Sequence, residues 1–231
     1  MNIKGLTSGL RSLIGDNRYF IIPFVLFCII GFSLLSIYGN TRLFLDINRL
    51  YSQFADHFFL MVTNLGDGAI PYILVFVLLW VSFREALTFL IITILLTILV
   101  TILKRYFFPE IHRPVFYFEF FEKIRILKGY DPPALFSFPS GHSATAFSVF
   151  FYISILAKNH LTKFLLFCSA LLVSFSRIYI SAHFPADVLA GSCIAMFLTI
   201  LCYCLSRNLK YDWIDKRITF VPNIFPRIKT A

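Results

Sequence analysis

The apolar positions of the chain fall into six runs, at roughly 19–38, 69–83, 86–103, 143–157, 162–180 and 188–205, and most of the charge lies between them. Each run predicts a membrane-spanning helix, and together they predict an all-α fold, a six-transmembrane-helix bundle. A helix needs about 20 apolar residues to cross a bilayer. The second and fourth runs are shorter, so flanking residues must complete them, and Ser140 to His142 extend the fourth. Leu6, Leu10, Leu13 and Ile14 repeat at helical spacing among basic residues, so residues 1–18 read as an amphipathic, basic leader lying in the membrane surface. The run from Tyr19 to Tyr38 is too long for a signal core and no small-residue cleavage site follows it, so it is expected to be a retained first span. The chain then divides into the leader 1–18, one six-span domain at 19–205 and a basic cytoplasmic tail at 206–231.

The connections are uneven. Tight turns are expected at Arg84–Glu85 and Lys158–Leu161, and long segments at 39–68 and 104–139 fall on the other membrane side. The leader, the tight turns and the tail hold most of the Lys and Arg, which by the positive-inside rule puts both termini in the cytoplasm. The segment 104–139 is rich in aromatics ("VFYFEFFEKIRILKGY") and is expected to hold an interfacial helix or lid between spans three and four. Anchoring by an ordinary aromatic belt accounts for the same composition.

Composition agrees with the pattern. Of 231 residues, 58% are hydrophobic and 14% charged, with 29 Phe and a mean hydropathy of +0.80, values of an integral membrane protein. A formal charge of +9 would suggest nucleic acid in a soluble chain. Here the cations sit between apolar runs, so anionic head groups or a phosphorylated substrate fit better, and nucleic acid is excluded as a partner. Cys28, Cys168, Cys193, Cys202 and Cys204 lie inside apolar runs without zinc-ligand spacing.

Three polar sets interrupt the pattern: "KRYFFPEIHRP" at 104–114, "PSGH" at 139–142 and "SRIYISAHFPAD" at 176–187. The first follows span three, the second precedes span four and the third joins span five to span six. All three must emerge on one face, which gathers Lys104, Arg105, Arg113, His142, Arg177, His183 and Asp187. Lys104 and Arg105 could also be snorkelling residues at a helix end. Arg177 is less easily set aside, because an ionisable residue within a span reads as functional. Pro185 predicts the start of span six with Phe184 at its cap, which puts Asp187 at the third helical position, where it can reach back to hold His183. Ser140 is placed to cap span four, Gly141 permits close backbone approach, and a helix start of this kind binds anions.

Cations, a helix N-terminus and two imidazoles suit a phosphoryl group. The cations neutralise its oxygens, one imidazole attacks phosphorus in line, and the other protonates the leaving oxygen. No carboxylate cluster suggests a two-metal site, so the chemistry is expected to need no metal or other cofactor.

These residues resemble the type 2 phosphatidic acid phosphatases, which share a site architecture with vanadium haloperoxidases and bacterial acid phosphatases. The family's motifs are written KxxxxxxRP, PSGH and SRxxxxxHxxxD. The second is intact as Pro139 to His142, and the third as Ser176-Arg177 with His183 and Asp187. The first departs: Arg113-Pro114 is present, but Tyr106 occupies the position seven before Arg113, with Lys104 nine before it and Arg105 eight before it. Lys104 is favoured for that role, with Arg105 as a substitute. The resemblance covers about residues 55–205, including "NLGDG" at 64–68.

The resemblance implies that His183 is a nucleophile forming a phosphohistidine, Asp187 its orienting partner and His142 the general acid. It implies a phosphate pocket of Lys104, Arg113, Ser140, Gly141 and Arg177. The function expected is hydrolysis of a lipid phosphate or diphosphate at the outer face of a bacterial cytoplasmic membrane, with the active site facing the periplasm. Undecaprenyl diphosphate and phosphatidylglycerophosphate are preferred over phosphatidic acid and the phosphorylated sugar of lipid A. A phosphotransferase would use the same site, and an anionic-lipid transporter or binder would use the cations without chemistry. The partners expected are the lipid substrate and the bilayer, with no obligate protein partner.

Overall fold

In a computed structural model, the backbone of residues 3–119, 123–208 and 214–216 is described, with side chains from Gly9 onward. Among the described residues the fold is all helical, with no strand. The helices are α1 (Ile3–Asp16), α2 (Arg18–Tyr38), α3 (Asn40–Asn48), α4 (Gln53–Val62), α5 (Ala69–Leu78), α6 (Phe83–Ile102), α7 (Pro114–Tyr117), α8 (Gly141–Leu156), α9 (His160–Tyr179) and α10 (Pro185–Ser206). Four are long and apolar enough to cross a membrane: α2, α6 with its following turn, α9 and α10. The count reaches five if α4 and α5 form one broken span, bent by 55°. The fourth run, α8, has 16 residues and falls short of that length.

The expected second run, 69–83, is therefore the lesser half of a longer feature. Ala69–Leu78 holds ten residues, and the flanking helix that completes it is α4, across a 3₁₀ turn at Thr63–Gly66 and the bend at Asp67–Gly68. The tight turn expected at Arg84–Glu85 lies earlier, at Leu79–Ser82. Ser82 caps α6 by accepting from Glu85 N, which draws Arg84 and Glu85 into the first helical turn. Two more free N–H groups of that turn, on Phe83 and Arg84, donate to Lys216 O and Ile214 O of the tail.

The 104–139 segment also differs from expectation. It holds a wide π turn at Leu103–Phe107 and the four residues of α7, and the chain from Lys123 to Ser140 is not helical; residues 120–122 lie outside the described residues. Pro132, Pro133 and Pro139 preclude a regular helix there. The backbone carbonyls freed in this way are spent on the polar cluster.

α8 is the hub of the bundle and packs most extensively on α9 and α10. Phe147 and Phe151 on α8 meet Phe20 of α2 and, for Phe147, Phe167 of α9. Against α10, Tyr152 meets Tyr203 edge-on, and elsewhere the two backbones approach closely at a glycine, a common device of helix packing in lipid. Gly191 is decisive: a Cβ there would stand 2.3 Å from Ser140 O.

At the end away from the polar sets, buried charges tie the helix ends together. Glu85 accepts from Tyr152 (2.7 Å) and Arg207, and Arg84 pairs with Asp215 at 2.6 Å. Lys163 donates to Asn17 Oδ1 and Asp16 O, which pins the start of α9 to the α1–α2 joint.

Candidate active site

The third polar set folds into a tight corner between α9 and α10. Ala182 N and His183 N both donate to Arg177 O, and Ser181 adopts a left-handed conformation with φ 61°. Such strain in a non-glycine residue persists where surrounding bonds hold it. Ser181 Oγ donates to Arg125 O and accepts from Asn48 Nδ2. The corner aims His183 inward, where only 1% of it is exposed. Pro185 is the first residue of α10, and Asp187 in its first turn accepts from Phe184 N at 3.0 Å. The same oxygen accepts from Ser137 Oγ (2.5 Å) and stands 3.2 Å from His183 Nδ1. With Nδ1–H donated to a carboxylate, Nε2 carries the lone pair. Burial, then the charges of Arg113, Lys104 and Arg177, hold His183 well below the ordinary histidine pKa, so the imidazole is neutral.

Three cations converge here. Arg113 Nε donates to Leu135 O and its Nη1 to Ala182 O, while burial and the charge of Arg177 lower its own affinity for the proton. Arg177, 4% exposed, donates to Thr63 Oγ1 (2.6 Å) and Tyr130 OH (3.3 Å), and its Nε has no partner among the described residues. Lys104 donates to Phe136 O at 3.0 Å. The π turn, closed by Phe108 N to Leu103 O, takes up part of the excess spacing between Lys104 and Arg113. Arg105 does not join them: it is exposed, with its guanidinium 5.7 Å from the Phe136 ring.

The second polar set sits beside the third. Ser140 N donates to Asp187 O, and Ser140 Oγ accepts from Ser143 N at 3.3 Å to cap α8. Beyond its own helix and chain neighbours, the nearest described atom to a Cβ built on Gly141 is Val100 Cγ1 at 3.9 Å. His142 Nε2 lies 3.0 Å from Asp67 Oδ1. A cavity of about 230 Å³ opens next to His142, between α5, α6 and α8, lined by Pro71, Leu96, Thr97, Val100, Thr145 and Ser148 among others. A larger hollow of about 430 Å³ along α3 holds none of these site residues.

The sequence reading missed Ser137, Thr63 and Tyr130, whose contacts with Asp187 and Arg177 no motif announces. Asp67 lies within "NLGDG", a stretch to which the sequence assigns no role. Among the described residues, no group of three or more His, Cys, Asp or Glu could hold a metal ion.

Three cations, a capped helix start and two imidazoles of different environment lie together, an arrangement able to bind an anion. Residues 85–211, more than half of the chain, match the PAP2 superfamily. The lipid A 4'-phosphatase of Porphyromonas gingivalis is 25% identical over 178 residues, 75% of each chain. The crystal structure of Aquifex aeolicus LpxE is similar at 32% identity and a TM-score of 0.63, covering 71% of this chain and 94% of that one. The crystal structure of a transmembrane PAP2-type phosphatidylglycerolphosphate phosphatase from Bacillus subtilis shares the fold at 22% identity and a TM-score of 0.58, covering 83% of this chain and 98% of that one.

Proposed function

Starting from a chain that belongs to the PAP2 superfamily and is a membrane lipid phosphatase, we propose that it cleaves a phosphate monoester from a membrane lipid through a phosphohistidine on His183. The observation that carries this reading is the buried His183–Asp187 pair facing three cations. Lys104, Arg113, Arg177 and the N–H group of Gly141 take the phosphoryl oxygens, and the Nε of Arg177, without a partner among the described residues, is a donor awaiting one. His183 Nε2 attacks phosphorus in line, the bond to the leaving oxygen breaks, and His142 gives that oxygen its proton. His142 then takes a proton from water, whose oxygen attacks the phosphohistidine and releases inorganic phosphate. In this reading Lys104, Arg113 and Arg177 neutralise the phosphoryl charge, so activity is expected to survive EDTA.

The phosphorylated sugar of lipid A becomes the first substrate to test, ahead of undecaprenyl diphosphate and phosphatidylglycerophosphate. Its support is the likeness to lipid A 4'-phosphatase, whereas the Bacillus subtilis enzyme supports the fold alone. We read the bent α4–α5 pair and α8 as two further spans, giving six in a bacterial cytoplasmic membrane with the site at the outer face. The experiment is phosphate release by purified protein from a panel of lipid phosphates, with trapping of an acid-labile, alkali-stable phosphoenzyme. Release that needs an added lipid or sugar acceptor would instead support phosphotransfer. No release from any lipid would leave an anionic-lipid binder.

A further inference from the structure

The second span breaks at Thr63–Gly68, although Ala69–Leu78 could have continued an apolar helix. The break presses one turn of chain against the start of α8 and the end of α9. A Cβ at Gly66 would lie 3.1 Å from both His142 Cβ and His142 O, and 2.9 Å from Val173 Cγ1, so only glycine lets the turn seat there. Seated in this way, the turn delivers Thr63 Oγ1 to Arg177 and Asp67 Oδ1 to His142 Nε2.

We propose that Asp67 is a positioning residue for His142, accepting the Nε2–H so that Nδ1 faces the leaving oxygen. The inference rests on the reading of His142 as the acid and base of the reaction. Among the described residues Nδ1 of His142 has no protein partner, while Nε2 is committed to the carboxylate. The carboxylate fixes the tautomer and ring orientation, as an acidic partner does for a histidine that shuttles protons. It also supplies charge balance. The groups acting on His142 are Arg177 from α9, Arg113 from the loop before α7, and Asp67. Without Asp67, an imidazolium would face two guanidinium groups and lose the carboxylate hydrogen-bonded to it. The pair is partly open, with side-chain exposures of 29% for His142 and 54% for Asp67, so Asp67→Asn removes charge without emptying a core site.

The test compares kcat/KM for a lipid alkyl phosphate with that for 4-nitrophenyl phosphate, whose leaving group needs no proton, in wild type, Asp67→Asn, His142→Ala and the double variant. Asp67→Asn is expected to lower the value for the lipid by about 10- to 100-fold and that for the aryl ester by less than about 3-fold. In the His142→Ala background it is expected to add less than about 2-fold, with partial recovery in Asp67→Glu. An unchanged lipid rate, equal loss on both substrates, or full additivity with His142→Ala overturns the proposal. If His142→Ala itself loses both substrates equally while wild type is active, it is the assignment of His142 as acid that fails.

Discussion

His183 and Asp187 stand 3.2 Å apart, imidazole Nδ1 to carboxylate Oδ2, with the carboxylate in the first turn of α10 and the imidazole two residues before that helix begins. The carboxylate is anchored by Phe184 N and Ser137 Oγ as well, so its oxygen is fixed before the imidazole uses it. The pairing leaves Nε2 as the only nitrogen of His183 able to attack.

Replacing that nitrogen should end turnover. His183→Ala is expected to lose at least about 10³-fold in phosphate release and to form no trapped phosphoenzyme. Asp187→Asn should keep the helix start yet lose about 10²- to 10⁴-fold, because an amide offers Nδ1 a competing donor and favours the wrong tautomer. Wild-type rates in either variant would remove the nucleophile assignment.

Lys104 and Arg105 should separate cleanly. Lys104→Met is expected to lower kcat/KM by about 10²-fold, since it deletes a charge aimed at the phosphoryl group. Arg105→Met should stay within about 3-fold, because its guanidinium faces Phe136 at the surface. A reversed order would mean that the first motif is filled by Arg105.

The pH profile carries its own sign. In the proposed reaction His183 attacks as a neutral imidazole, and burial with the charges of Arg113, Lys104 and Arg177 lowers its pKa, so protonation sets in only well below the ordinary value of about 6.5. The acid limb assigned to His183 should therefore lie below that value. Lys104→Met removes a positive charge, makes the imidazolium easier to form, and should shift the limb toward higher pH. Comparing wild type with variant on one substrate cancels titration of the substrate itself, and a shift toward lower pH would contradict the electrostatic account.

Gly191→Ala tests the junction of α8 with α10. Its Cβ would fall 2.3 Å from Ser140 O, a backbone atom that cannot swing aside. Overpacking of this kind costs about 1–3 kcal/mol. A lowered unfolding temperature in detergent, with a larger loss of kcat than of substrate affinity, is the expected result. An unchanged unfolding temperature would show that the two helices separate more readily than their packing implies.

Much of the molecule could be read from its letters, for reasons that are local. Runs of apolar residues mark helices in lipid without help from tertiary structure, and their parity sends Lys104, Arg113, His142, Arg177, His183 and Asp187 to one end. The cap at Ser140 and the reach of Asp187 are local as well. What escaped the reading depends on neighbours distant in sequence. Ser137 meets Asp187 across 50 positions, Thr63 meets Arg177 across 114, and Asp67 meets His142 across 75. The helix of α4 escaped because its charged and polar residues interrupt the apolar count, although Ser52 caps it by accepting from Ala55 N. The interfacial helix expected in 104–139 is limited among the described residues to the four of α7, because aromatic content signals a membrane boundary and not a backbone conformation.

The wide turn at Leu103–Phe107 separates the length of a motif from its reach. A residue added inside such a turn is folded into its girth, and the helix before it and the loop after it keep their mutual phase. Deleting one residue there should tighten the turn and leave Lys104 and Arg113 in partnership. The same deletion between Pro109 and His112 would pull Arg113 N away from Ala134 O. That turn is the elastic point of the sequence, where the chain can gain or lose a letter and keep its chemistry.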